Sequence, residues 1–330
     1  MASALNTAEL ELYIYTGTSG NYASTDLRYT IQKSKIGDDT NIIFEVGELV
    51  RDYITHNFND DYPCDAVWVT ASTTLLDENN ITFTYGSPVV NTYLAVDGYG
   101  FYEESINPEL SRNALITANT IYLPENTAGK VPIFAEGVGK IIIDSTTTQI
   151  TDSGDSSQKI QYITIPANSS TIQVYDTDDA TLKKTINVIN VCEPKYTPFK
   201  ITFINKFGAY QDLYMFKKTT ESFNVTDEQY KKNNIQTSTV TYATNDGQKE
   251  RHNTNATKSI QLNTGFINED SNSTIEELFL SENVFIRQDS QTLAIIPKTK
   301  NLVFKTSLND KLANYTIDFD FAFNKINNVR

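Results

Sequence analysis

Between Asn314 and Asn324 apolar and polar residues alternate almost without a break. Tyr315, Ile317, Phe319, Phe321 and Phe323 interleave with Thr316, Asp318, Asp320 and Ala322. Side chains two apart in a strand share a face, so this spacing predicts a long strand with one buried and one wet side. The same period runs through Leu10, Leu12 and Ile14, through Ile81, Phe83 and Tyr85, and through Ile201 and Phe203. Shorter strands are expected at Lys140–Ile143, Ile160–Ile165, Thr171–Tyr175 and Lys184–Val191. Thr, Tyr, Phe, Ile and Val fill these runs, the residue types that suit a pleated, half-buried surface. The expected class is mostly β: β-sandwich modules with short flanking amphipathic helices.

Two segments carry a helical period instead. Val46, Leu49, Val50, Tyr53, Ile54 and Phe58 predict about three turns of amphipathic helix, preceded by a strand at Asn41–Phe44. Ser273 and Thr274 stand three residues ahead of Glu276 and Glu277, the spacing of a capping box, and Ile275, Leu278 and Phe279 supply an apolar face behind them. The implied organisation is an N-terminal β domain with one helix over 1–112, a small all-β module of immunoglobulin-like size over 113–195, and a C-terminal β domain with a short helix over 196–330. Glu193–Pro198, with two prolines, reads as the linker before the last.

Charge narrows the partners. The chain carries 27 Lys and Arg against 41 Asp and Glu, a net charge of −14, and its densest basic stretches are only pairs. Nucleic-acid affinity comes largely from neutralising phosphates, so no nucleic-acid partner is expected. The first twenty residues lack a basic region followed by an apolar one, and no run of about 18 apolar residues occurs. The expectation is therefore folding in a cytoplasm without membrane insertion.

Catalytic patterns are scarce. The two histidines are expected on polar surfaces: His56 near a helix C-terminus, His252 in the loop Lys249–Asn255. Cys64 and Cys192 have no metal-like spacing, and no phosphate-loop, dinucleotide or nucleophile-elbow motif occurs. Acidic pairs such as Asp60-Asp61, Glu103-Glu104 and Glu276-Glu277 could in principle serve a glycosidase. In a chain with 41 acids they read first as loop and helix-start residues. Asp176-Thr177-Asp178-Asp179 lacks the glycine and distal glutamate of a calcium loop and reads as a turn. No catalytic residue, metal ligand or cofactor is expected. The polar segment 233–255 exceeds a hairpin connection in length, and long connections in compact domains are commonly functional.

The segment Ile201–Phe216, ITFINKFGAYQDLYMF, reads physically as a strand ending at Asn205, a turn near Gly208 and a returning aromatic strand. It resembles a strand–N-[RK]-[FY]-G–turn–D–aromatic strand pattern of virion tail proteins of tailed bacteriophages. Thr274–Val284, a short helix leading into a strand, is a second echo, and together they cover roughly the last 130 residues. The resemblance implies a structural subunit of the tail or baseplate, akin to tail-tube or hub units. Such a subunit is assembled in the host cytoplasm and works through contacts with other virion proteins and copies of itself. Phe207, Gly208, Tyr210 and Asp212 of the motif, with Asn233 and Asn255 bounding the long loop, are the expected interaction residues. A head-fibre, collar or receptor-binding subunit contacting a host-surface glycan is the alternative. A bacterial carbohydrate-binding adhesin is a further one.

Overall fold

The computed structural model describes residues 5–37, 41–79, 81–82, 88–105, 113–233, 238, 240–241, 243–299, 301, 303 and 312–326. Phe83 and Tyr85 of the second alternating run lie outside them. The fold is mostly β, built from largely antiparallel sheets with two short α-helices among the described residues. Contacts divide the chain into two compact units. One comprises Met1–Cys192, Thr202–Asp212 and Asp270–Ser281; the other comprises Glu193–Ile201, Leu213–Glu269 and Glu282–Arg330. The Glu193–Pro198 stretch thus opens the second unit.

The first unit begins with an antiparallel sheet of β1 (Leu5–Tyr15), β2 (Leu27–Ser34), β3 (Val67–Asp77) and β4 (Val89–Ala95), in the order β2-β1-β3-β4. The alternation read at Leu10, Leu12 and Ile14 puts these residues in the core, where Leu12, Ile14, Val67 and Val69 meet Val50 of α1 (Gly47–Arg51). That helix is five residues long rather than three turns. Gly47 weakens it, Val46 offers no capping side chain, and beyond Asp52 the chain leaves the helix. Asn41–Phe44 forms no strand, and Ile43 is exposed.

The middle segment supplies β5 (Thr120–Pro124), β6 (Gly129–Phe134), β7 (Lys140–Ile143), β8 (Thr146–Gln149), β9 (Ile160–Ile165), β10 (Thr171–Tyr175) and β11 (Leu182–Val191). They pair as a five-stranded sheet, β5-β11-β10-β7-β8, and a β6–β9 ribbon. Their apolar alternation fills a core with Val131, Ile133, Ile141, Ile165, Ile172, Val174 and Ile186 all buried. A hairpin of β12 (Phe199–Ile204) and β13 (Tyr210–Met215) then carries the chain into and out of this unit.

Helix α2 (Asn272–Leu280) belongs to the same unit. The expected capping box does not form. Ser271 occupies the N-cap without a side-chain bond, and Ser273 Oγ donates to Asp270 O at 3.1 Å. Glu277 points inward, 1% exposed, and accepts from Thr117 Oγ1 at 2.5 Å. Burial pushes its carboxyl above the usual glutamate range.

The second unit holds β14 (Thr220–Lys231), β15 (Lys249–Asn263), β16 (Ile267–Asn268), β17 (Val284–Gln288), β18 (Gln291–Pro297), β19 (Leu312–Ala313) and β20 (Thr316–Phe321). Five of them follow in the order β17-β18-β20-β15-β14, and β16 pairs with β19. The C-terminal alternation lies on β20, where Ile317, Phe319 and Phe321 are buried; Tyr315, just ahead of the strand, is buried too, while Phe323, past its end, is exposed.

Candidate functional site

The β12–β13 hairpin and the β14–β15 ribbon with its flank receive the six residues expected to mediate interaction, Phe207, Gly208, Tyr210, Asp212, Asn233 and Asn255, and they put them to opposite uses. At the turn, Asn205 is fully buried and uses its whole amide. Its Oδ1 accepts from Phe207 N at 3.0 Å and Ala209 N at 3.2 Å; its Nδ2 donates to Leu115 O at 2.7 Å and Gln211 Oε1 at 2.9 Å. Short polar side chains hold turns in this way because they replace missing backbone partners. Gly208 has φ of 72°, and a Cβ there would stand 3.0 Å from Asp97 N and from Val96 Cβ. Gly98 makes the matching approach, since its own Cβ would lie 2.8 Å from Lys206 O. The two glycines let the 96–99 backbone lie against the turn, where Tyr99 N donates to Lys206 O at 2.9 Å.

That contact sets Asp97 beside His56. The imidazole is an interior group, not a polar helix end: its side chain is 4% exposed, with Nδ1 2.8 Å from Asp65 Oδ2 and Nε2 2.8 Å from Asp97 Oδ2. Burial alone pushes the imidazole pKa down, but the hydrogen bonds to Asp65 and Asp97 outweigh it and raise the value to about 9. At neutral pH the ring is therefore an imidazolium donating from both nitrogens. His56 holds the Asp97 carboxyl below its usual range, and Arg51 Nε, 2.9 Å from Asp97 Oδ1, adds to the effect. Arg51 and Asp97 also border a hollow of about 330 Å³ walled by Val46, Val50, Val69 and Tyr93.

Tyr210 closes the network from β13. It is 2% exposed, and its hydroxyl donates to Asp65 Oδ2 at 2.6 Å, the oxygen that His56 also meets. Its backbone N donates to Tyr162 Oη at 2.9 Å. Burial, and then the bond to Asp65, push the Tyr210 phenol far above its ordinary range. Phe58 stacks on Tyr210 with centroids 4.8 Å apart. Asp212 accepts from Tyr62 Oη and Thr202 Oγ1, both at 2.6 Å. Tyr62 reaches it from a left-handed backbone, φ 49°, two residues after Asp60 at 69°. Such conformations persist only where surroundings over-determine them, and the ring contacts with Phe58 and Tyr162 do so here.

Chemically this is a clamp. A general base needs a free lone pair, and both His56 nitrogens are committed as donors. A tyrosine with a raised pKa is a poor nucleophile. The buried charges compensate one another, as interior ions must. Phe207 is half-buried at the turn, while Gly208 and Tyr210 are buried.

The ribbon is the reverse. Of the twelve β14 residues, eleven are exposed and Asp227 is half-buried. β20 covers β15 only from Ser259 to Asn263, and Lys325 N and Ile326 N reach back to Ala256 and Asn255. Outward of there, Thr226–Lys231 and Lys249–Asn255 pair with each other, past an irregularity at Thr226/Glu228 where Asn253 takes φ of 50°. At about 3.4 Å per residue this two-stranded stretch is roughly 20 Å long. Asn233 follows it, and Asn255 lies inside β15 opposite Thr226, so the long connection expected at 233–255 is shorter. His252 belongs to the strand too, 3.0 Å from Glu228. Cross-strand pairs line the ribbon: Arg251 with Asp227 at 3.0 Å, Tyr230 Oη with Glu250 at 2.8 Å, Lys232 with Asp246 at 2.6 Å. Phe223, Val225 and Tyr230 stay exposed.

The Asp176–Asp179 segment is a turn. Asp178 accepts from Ala180 N, Thr181 N and Thr181 Oγ1, and Asp176 pairs with Lys183 at 2.7 Å. Among the described residues no group of three or more His, Cys, Asp or Glu has metal-binding geometry, and no helix is long and apolar enough to cross a membrane. No protein-family model matches the chain, and neither a curated protein nor a solved structure matches it.

Proposed function

We propose that the chain is a structural subunit of a tailed-phage virion, of the tail or baseplate, that works by protein–protein assembly with copies of itself and with other virion proteins. The β14–β15 ribbon carries this reading. Two strands with both faces wet are marginal alone, and an edge bearing exposed Phe223, Val225 and Tyr230 offers backbone pairing and apolar area to a neighbour. Its cross-strand ion pairs hold that edge extended before the neighbour arrives, which lowers the ordering cost of association. The acidic surface, net −14, keeps free subunits apart until complementary edges meet. The motif around Asn205–Asp212 adds the phage resemblance.

Light scattering on the full chain and on a variant with residues 228–252 replaced by an Asn-Gly turn tests the reading. The full chain is expected to form a closed oligomer with concentration, and the shortened chain to remain a monomer with unchanged secondary structure. A full chain that stays monomeric at every concentration, alone and with phage lysate fractions, contradicts it.

A further inference from the structure

The second unit carries a small pocket that uses none of the ribbon's outer residues. It has a volume of about 240 Å³ and is formed where the β17–β18 turn meets Lys258 of β15 and the chain just past β20. Asp289 and Ser290, at φ 49° and 64°, make the tight two-residue turn, with Gln288 opposite Gln291. Phe321 and Phe323 stand edge to face, centroids 5.8 Å apart; Phe321 is buried and Phe323 is 48% exposed.

One side of the pocket is fixed. Lys258 Nζ lies 5.1 Å above the Phe321 ring and 2.9 Å from Glu221 Oε1, which also accepts from Gln288 Nε2 at 3.1 Å. The Lys258 charge is thereby neutralised by Glu221. The other side is open: Asp289, Gln291 and Lys325 line the pocket and are not needed by these bonds. The pocket thus offers a half-exposed aromatic ring, a carboxylate, an amide and an ammonium, with Asp289 offsetting Lys325.

From this set we infer a binding site for one neutral pyranose ring of a glycan. A pyranose presents a C–H face that packs on an aromatic ring, and hydroxyls at its edge that donate to a carboxylate and accept from an amide or ammonium. The volume falls below the roughly 300–1,000 Å³ of drug-sized ligand sites, so it suits a single ring. The balanced charge favours a neutral sugar over an acidic one. A single ring with so few contacts binds weakly, on the order of millimolar, and avidity across copies would add to it. The inference does not depend on the assembly role.

The test is saturation-transfer NMR on the full chain with methyl glucoside, methyl galactoside, methyl mannoside, N-acetylglucosamine and methyl glucuronide. At least one neutral sugar is expected to receive transfer, strongest at the protons of one ring face. Phe323→Ala should abolish it and Asp289→Asn should weaken binding about tenfold, with far-ultraviolet circular dichroism unchanged in both. No transfer to any neutral sugar, transfer that survives Phe323→Ala, or preference for the glucuronide would each overturn the proposal.

Discussion

The β12–β13 turn and the β14–β15 ribbon are both hairpins rich in polar side chains, yet one is an interior device and the other a surface one. The difference lies in where the partners of those polar groups come from. At the turn, Asn205 bonds to Leu115, Tyr210 to Asp65, and Asp212 to Tyr62, residues 90, 145 and 150 positions away. In the outer part of the ribbon Arg251 pairs with Asp227 and Tyr230 with Glu250, residues of the same hairpin. Long-range partners make a polar hairpin part of the core; local ones leave its faces free for something else.

If that contrast is right, removing one amide from each hairpin should give very unequal results. Asn205→Ala leaves Leu115 O, Gln211 Oε1 and two backbone N–H groups without their partner, at about 1–3 kcal/mol for each group left unsatisfied and about 4 kcal/mol in all after relaxation. Asn255→Ala in the ribbon should stay within about 1 kcal/mol. Denaturant melts of the two variants measure this, and comparable losses would erase the distinction.

Titration sharpens it next. His56 is raised to about 9 in the folded state from an ordinary value of 6.5. Its stabilisation is complete below pH 6.5 and is lost as pH rises through about 9, because the folded state holds the proton more tightly over that window. The shift corresponds to at most about 3 kcal/mol. Asp97, depressed by His56 and Arg51, works at the other end: its contribution is present above the ordinary aspartate value and is lost as pH falls below it. Melting temperatures at pH about 6 and about 9.5 should differ in the parent, and His56→Gln should flatten that difference.

A smaller loss is expected at Gly208. Alanine there must adopt φ of 72° and press against Val96 and Asp97, which should cost about 2 kcal/mol. Because Gly208 sets the approach of the 96–99 segment, the same change should also lower the His56 pKa, measured by NMR titration of the imidazole. A destabilised variant with an unmoved His56 would separate the turn from the clamp. The smallest effect on folding belongs to the ribbon: Phe223→Ser with Val225→Ser should change stability by no more than about 0.5 kcal/mol while abolishing the oligomer formation proposed above.

Much of the fold was readable from local pattern. The alternation at Leu10–Ile14, Thr171–Tyr175 and Ile317–Phe321 marks β1, β10 and β20, because a strand's two faces are written into neighbouring residues. The site was far less legible. His56 sits amid polar residues, and its partners Asp65 and Asp97 are 9 and 41 positions away, so no spacing betrays the clamp. Glu277 has capping-box spacing, yet it is buried against Thr117, 160 positions away. The Asn205–Gly208 turn could be read as a turn, but not as an interior one. In the ribbon the low apolar content of Thr220–Lys231 hid a strand whose second face has no core to fill.

The proposed assembly requires that the ribbon dock on a neighbour while the turn does not, and amide hydrogen exchange on the dilute chain and on the chain at concentrations where it is expected to assemble tests this most directly. Residues 226–231 and 249–254 should exchange quickly in the dilute chain and become protected on assembly, while 205–212 should be protected in both. Ribbon amides that exchange at the same rate in both states would contradict the account.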